Sequence, residues 1–337
     1  MGIVFVPIRA SSQNETKDFN LVPPNGKLFS SLYNKMSFID ARYDSLDIGF
    51  VLNGNKRAKL QCKTPLRKQF ATLLNSMVDT AGSEKNEIIF HLQKLKYIVK
   101  PELESEYGFC FIRANIFGKK NNVYKKLADV DTLIAFNEAD VTKSLLEAGN
   151  KVITDIISKS LNSFDENDLE YSYPDILNIE HNEKRHLKIY TAKTLTNGIY
   201  LNYNSFKNQA PDYTINKAEF KLSGKVKIKA TDKEGNKTTL LGKDIYAFVD
   251  SEIPYVCAEY GCCIIERKNN NLFYVGRAKI EDSNKDYVIA ETLAESLGKN
   301  TEKMVAANLT SKDKNMGYFL VMIDYLDGSF MKVKQIR

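Results

Sequence analysis

Three histidines and five cysteines are the side chains of this 337-residue chain best suited to metal binding, nucleophilic attack or proton transfer. His91, His181 and His186 are scattered. The last two share an acidic stretch at an offset of five, which does not bring them onto one helix face. A metal there would need Glu180 or Glu183 as added ligands, and a solvated stretch accounts for the same residues without one. Cys62, Cys110, Cys257, Cys262 and Cys263 form no C-x-x-C pair, and the odd count argues against zinc and against a full disulfide framework. Cys257 stands across an expected turn, Glu259 to Gly261, from Cys262 or Cys263, so a hairpin disulfide suits an oxidising compartment. Buried free thiols in strands are the favoured reading, since cysteine is among the most buried residue types. A catalytic cysteine needs a base beside it, and none is close in sequence.

Acidic groups such as Asp129 with Asp131, or Glu102, Glu104 and Glu106, have no spacing that singles out a glycosidase dyad. There is no phosphate-binding Walker loop, no nucleophile elbow and no G-x-G-x-x-G. The sequence therefore assigns no catalytic, cofactor-binding or metal-ligating residue, and no cofactor is expected. With 43% apolar and 27% charged residues the composition is that of a globular protein. The net charge of +6 and pI near 8.8 are too mild to call for nucleic acid, which needs a dense basic face. Lys225, Lys227 and Lys229 line one side of an expected strand and read as a solvated face. No stretch approaches the roughly 20 apolar residues of a membrane span, so no transmembrane segment is expected.

The elements that carry these residues follow from periodicity. Phe38 to Arg42 and Leu46 to Leu52 read as strands, and Asn53-Gly54 as a hairpin returning through Lys56 to Cys62. Thr64-Pro65 suits a helix start, with Leu66, Phe70, Leu73, Leu74, Met77 and Val78 on one face and Gly82 as the stop. Three long strands follow over Glu87–Val99, Tyr107–Phe117 and Val123–Phe136. In the middle one Cys110, Ile112, Ala114 and Ile116 share a face, against a mixed face of Phe109, Phe111, Arg113 and Asn115. A second helix spans about Ala139 to Leu161, with Val141, Leu145, Val152, Ile156 and Ile157 as a stripe interrupted by Gly149. This order predicts an antiparallel-rich sheet with both helices packed on one face. It also resembles, in topology alone, small α/β modules of bacterial envelope lipoproteins.

Beyond a polar stretch, Asn197-Gly198 opens a strand through Ile199, Leu201 and Tyr203, which Phe206 and Pro211 close. Tyr200, Tyr203, Phe206 and Tyr246 are expected to hold this half together as core aromatics. Phe220, Leu222, Val226, Ile228 and Ala230 alternate as one long strand with a bulge at Gly224, and Lys233-Glu234-Gly235-Asn236 turns it onto Lys237 to Leu241. Ile245 to Asp250, Tyr255 to Glu259, Cys262 to Glu266 and Leu272 to Lys279 read as strands. Ile289, Leu293 and Leu297 recur at helical spacing, and a last hairpin turns at Asp327-Gly328.

Gly-Ile-Tyr-x-x-Tyr-x-x-Phe with a following proline at 198–211, then Lys243 to Asp250 leading to Pro254-Tyr255-Val256, resembles a family of uncharacterised exported proteins of Bacteroidetes-type bacteria. The resemblance covers about residues 195–280. Tyr246-Ala247 stands here where the family usually has Trp-Gly. The family implies export and brings no catalytic residue with it.

The fold expected is α+β: an N-terminal antiparallel-rich sheet with two packed helices, followed by a mostly-β domain built as a twisted sheet or partial barrel. Its boundaries are a flexible N-terminus at 1–24, an α+β domain at 25–162, a polar linker at 163–186 and a mostly-β domain at 187–337. Ala10-Ser11-Ser12 behind an apolar run gives the N-terminus the look of a signal-peptide remnant. The function expected is that of a non-enzymatic exported envelope protein, in the periplasm or at the outer membrane, binding another protein, a glycan or a lipid. The alternatives are a hydrolase with its site between the domains, and a cytoplasmic location.

Overall fold

A computed structural model describes residues 15–24, 26–27, 30–54, 56–102, 104–164, 169–221, 225–279 and 316–336. The chain divides after Leu177 into two units. The fold is α+β, with a mixed, mainly antiparallel sheet in the first unit and mostly β structure in the second.

The first unit carries β1 (Glu15–Asp18), β2 (Tyr33–Asp40), β3 (Gly49–Asn53), β4 (Lys56–Gln61), α1 (Leu66–Met77), β5 (Asn86–Pro101), β6 (Glu106–Lys120), β7 (Val123–Glu138), α2 (Thr142–Ser160), β8 (Glu170–Tyr171) and α3 (Tyr173–Leu177). Its eight strands run β1-β4-β3-β5-β6-β7-β8, with β2 also paired to β5. The centre is β5, which takes β6 antiparallel along its whole length. On its other side it takes β2 in parallel up to Leu92 and β3 in parallel from Tyr97. Gly49 begins β3 at φ +93°, and a Cβ there would lie 1.8 Å from the Tyr97 carbonyl oxygen, so only glycine fits.

Both helices pack on one face, over Cys110, Ile112, Ala114 and Ile116 of β6 and Phe90, Leu92 and Tyr97 of β5. Phe70 of α1 lies between Phe38 and Phe90, with ring centroids 4.8 and 4.3 Å away. The stripe of α2 is Val141, Leu145, Gly149, Ile153, Ile157 and Leu161, while Val152 and Ile156 lie at its margin. Gly149 therefore belongs to the packed face and does not interrupt it. The helix comes so close there that a Cβ would stand 2.2 Å from Tyr97 Oη and 3.0 Å from Cys110 Sγ.

Four further expectations for this unit are corrected. Helix α1 has no side-chain cap from Thr64. Pro65 takes the cap position, and its carbonyl accepts from the amides of Lys68 and Gln69. The helix stops at Met77 rather than Gly82, because Val78 turns extended to bury itself in the core. The N-terminal stretch contributes strand β1, paired in parallel with β4, and buries Phe19 against Tyr97 at 5.6 Å. Gln69 holds its backbone through Leu21 N and the Phe19 carbonyl, and Asn150 through Val22. The signal-like residues Met1 to Ser12 lie outside the described residues. Finally, the stretch read as a polar linker carries β8, α3 and the next helix, with Ile176 and Ile179 buried, and the division into units falls inside it.

The second unit comprises α4 (Ile179–Lys184), α5 (Lys188–Thr191), β9 (Gly198–Tyr200), α6 (Tyr203–Lys207), β10 (Thr214–Phe220), β11 (Val226–Thr231), β12 (Lys237–Leu241), β13 (Ala247–Asp250), β14 (Ile253–Ala258), β15 (Gly261–Lys268), β16 (Asn271–Lys279), β17 (Met316–Ile323) and β18 (Phe330–Gln335). Seven strands form an antiparallel sheet, β18-β17-β16-β15-β14-β13-β9, and β10-β11-β12 form a second, smaller one. Neither sheet closes into a barrel. The inner face of the large sheet buries Tyr200, Tyr203, Phe206, Tyr274, Val321 and Phe330 in one core. The small sheet packs on the opposite face, where Val226, Ile228 and Ala230 meet Ile199, Ile245 and Phe248.

Two strand readings are corrected here. The run from Gly198 stops as a strand at Tyr200, because Asn202 caps a helical turn by accepting from Ser205 N at 2.9 Å, and Tyr203 and Phe206 enter the core from α6. The strand expected across Phe220 to Ala230 is two, β10 and β11, whose antiparallel register sets Phe220 opposite Val226. Gly224, and Ile289, Leu293 and Leu297 with their helical spacing, lie outside the described residues.

Candidate functional site

The structure keeps the chemically suggestive residues apart. His91 is buried in β5 opposite Asn115 of β6, whereas His181 of α4 and His186 after it are exposed. Among the described residues no three His, Cys, Asp or Glu side chains converge on a point that could hold a metal ion. The acids flagged in sequence have local work: Asp131 pairs with Arg113 at 2.9 Å, Asp129 with Lys126 at 3.2 Å, and Glu106 accepts from Val141 N ahead of α2.

Cys257 and Cys262 are joined in a disulfide between directly opposed positions of β14 and β15, which corrects the free-thiol reading. The turn at Tyr260 is short enough to bring the two side chains onto one face at the same rung. Cys263 points to the other face of its strand and is free, as are Cys62 and Cys110. Burial raises all three thiols, Cys110 to about 12, so none is poised as a thiolate.

A buried cation that sequence reasoning missed lies in the second unit. Lys184 Nζ is 2.5 Å from Glu180 Oε1 and 2.6 Å from Asn271 Oδ1, and it sits over the rings of Tyr325 at 4.8 Å and Tyr190 at 5.3 Å. Arg267 donates to the carbonyls of Ile189 and Tyr190, and Tyr325 Oη donates to Glu183. These bonds fasten α4 and α5 to the large sheet. The one sequence signal was the Glu180–Lys184 spacing of four, which usually marks an exposed pair.

The arrangement best suited to recognition is the loop Ala41–Ile48 between β2 and β3. Arg42 folds its guanidinium back into the loop, leaving 5% of the side chain exposed. Its Nε and Nη2 donate to the two Asp40 carboxylate oxygens at 2.8 and 2.7 Å, Nη2 also to the Ser45 carbonyl at 2.6 Å, and Nη1 to the Asp47 carbonyl at 3.3 Å. Asp44 accepts from Leu46 N, and Asp47 accepts from Gly49 N and pairs with Lys96. Burial pushes the Asp47 carboxyl up. The Lys96 ammonium and the Gly49 amide more than offset this and hold it below its ordinary value.

With its backbone so braced, the loop presents Tyr43 and Leu46 to solvent, at 55% and 82% exposure. Two preorganised apolar side chains can fill a pocket on a partner with little further entropy to lose. Leu46 was read as the start of a strand, and only the Asp40–Arg42 spacing of two hinted at the fork.

No family model and no curated protein matches the chain. Among solved structures, a crystal structure of a Xanthomonas campestris protein, described with the family model DUF330, aligns at 8% identity and a TM-score of 0.28. The alignment covers 43% of this chain and 95% of that one. No helix among the described residues is long and apolar enough to cross a membrane.

Proposed function

We propose that this chain is a non-enzymatic, exported protein of the cell envelope that acts by binding another protein. The braced loop carries the reading: a guanidinium with four hydrogen bonds fixes a backbone whose outward products are Tyr43 and Leu46. Phosphate-bearing lipids call for cationic groups, whereas this tip offers a phenol and an isobutyl group between carboxylates, and a sugar face stacked on Tyr43 leaves Leu46 unmatched. A protein pocket is therefore its better complement. Export is supported by the Cys257–Cys262 disulfide, since such bonds persist in oxidising compartments, and by the family resemblance over residues 195–280.

The binding test immobilises the full chain, exposes it to a cross-linked envelope extract of the native bacterium, and compares it with Tyr43→Ser/Leu46→Ser. A protein retained by the parent and lost by the variant, with melting unchanged, is the expected result. Equal retention by both sinks the loop as the recognition site. Reproducible turnover of generic ester, phosphate or glycoside substrates, abolished by one point mutation, would replace the binding reading with the hydrolase. Fractionation checks the compartment, and a wholly cytosolic protein contradicts export.

A further inference from the structure

The small sheet of the second unit turns one face to the core and the other to water. Val226, Ile228 and Ala230 of β11 point inward, so Lys227 and Lys229 between them point outward, as alternation along a strand requires. Register carries the assignment to the neighbouring strands. Glu219 and Lys217 of β10 lie opposite Lys227 and Lys229, and Lys237 of β12 lies opposite Thr231. The ladder continues past Phe220 and Val226 to a bond from Lys221 N to the Lys225 carbonyl at 2.8 Å, which sets one more pair of lysines on the outer side. All six lysines are exposed.

Six lysines less one glutamate leave five positive charges on this face, against a net charge of +6 for the whole 337-residue chain. The excess that looks mild over the sequence is therefore concentrated on three strands. Lys217 opposes Lys229 and Lys221 opposes Lys225 across adjacent strands, and like charges so placed work against folding. Glu219 pairs with Lys217 at 2.9 Å. Lys217 first, then Lys229 and Lys227, hold its carboxyl below the ordinary value, so the field of the ladder is felt at its one acid. The acids of the β11–β12 turn, Asp232 and Glu234, stand beyond the Lys237 end with Lys233 between them.

The chemistry of the face selects its occupant. A protein partner needs an apolar centre that excludes water from the polar rim. Among the described residues the one apolar side chain turned outward here, Leu241, stands on the edge strand. Nucleic acid is read through guanidinium forks to base edges or through stacked rings, and this face has neither. A layer of anionic lipid headgroups asks for less, because its phosphates shift laterally to meet each ammonium, and lysine is a compact charge on a flexible stem. Clusters of about four to eight basic side chains bind such a layer through their summed field. We propose that the outer face of β10–β12 docks this chain on a membrane surface rich in anionic lipid, with Lys227 and Lys229 at its centre. The inference rests on the lysine register and stands independently of the Tyr43–Leu46 loop.

Co-sedimentation of the full chain with vesicles of phosphatidylcholine, alone or with one third phosphatidylglycerol, tests it. Binding is expected to the mixed vesicles only, and is expected to fall as salt rises from about 0.1 M to about 0.5 M. Each lysine at an anionic surface strengthens binding about fivefold, so Lys227→Gln/Lys229→Gln should weaken it at least tenfold with melting unchanged. Lys227→Arg/Lys229→Arg keeps the charge and should bind as the parent does. Lys68→Gln/Lys143→Gln removes two exposed charges from the first unit and should also bind as the parent does. A parent that ignores the mixed vesicles overturns the proposal, as does a loss in Lys68→Gln/Lys143→Gln equal to that in Lys227→Gln/Lys229→Gln. Retention of a DNA duplex in place of the vesicles, lost in Lys227→Gln/Lys229→Gln, also overturns it, by assigning the face to nucleic acid.

Discussion

Arg42 grips the carboxylate of Asp40 across one intervening residue, with Nε to Oδ1 at 2.8 Å and Nη2 to Oδ2 at 2.7 Å. This fork fits guanidinium and no other side chain. Arg42→Lys keeps the charge and loses the fork together with the carbonyl bonds to Ser45 and Asp47. Hydrogen bonds to charged groups contribute about 1.5–3 kcal/mol each at most, so the variant should lose about 1–2 kcal/mol of stability. Amide exchange at 41–48 should accelerate at least tenfold. Unchanged exchange in the loop would show that the fork does not brace it.

The same loop should respond to acid. The folded Asp47 carboxyl titrates below its ordinary 3.8, so its contribution to stability is complete above that value and is lost as pH falls through the lower folded one. Protection at 41–48, taken relative to the intrinsic exchange rate at each pH, should therefore fall below about pH 4, with the effect absent in Asp47→Asn. A loop equally protected at pH 3 and pH 6 would contradict the ion pair with Lys96.

Gly149→Ala should destabilise the first unit, although alanine is the better helix former by about 1 kcal/mol. The added methyl would meet Tyr97 Oη at 2.2 Å and Cys110 Sγ at 3.0 Å. Overpacking typically costs about 1–3 kcal/mol, so the net effect is a loss, read as a lower urea midpoint. A gain in stability would mean that α2 can lift away from the sheet freely.

Phe206 is fully buried, with its ring edge-on to Tyr200 at 5.1 Å and tilted against Tyr246 at 6.0 Å. Phe206→Ala should cost about 3–5 kcal/mol and lower the melting temperature sharply. An unchanged melting curve with loss of partner binding would move this cluster from core to recognition surface.

Replacing Cys257 and Cys262 together by serine should cost about 2 kcal/mol, because the disulfide closes only a short loop in the unfolded chain. In the folded parent, a thiol reagent should modify Cys62 and Cys263 slowly and Cys110 only after denaturant is added. Rapid labelling of Cys110 would contradict its place beneath α2.

Long-range order in the first unit was legible because its signals are local and repeated. Fifteen or sixteen residues of period two, as in β5 to β7, allow one face assignment, and Asn53-Gly54 allows one turn. Leu66 to Met77 could be read for the same reason. What failed was set by partners far away in sequence. Nothing near Glu15 announces that β4 is free to pair with it, and nothing near Val78 announces the core that pulls it out of the helix. At the candidate site, Arg42 looks like an ordinary exposed base until Ser45 and Asp47 fold back onto it. The basic face of β10–β12 was hidden differently: alternation put Lys225, Lys227 and Lys229 on one side of a strand, but not Lys217, Lys221 and Lys237 beside them.

The meander of β5, β6 and β7 also sets a timetable. Its strands are neighbours in sequence, and β6 turns into β7 through Asn121-Asn122, both at positive φ as a tight hairpin needs. Such short-range pairing closes quickly, whereas β2 must cross some fifty residues to reach β5. During synthesis β2 leaves the ribosome first and has no rung to occupy until β5 follows. Throughout that interval Tyr33, Met36 and Phe38 have no β5 to cover them, so the nascent chain keeps this apolar stretch exposed until β5 has emerged.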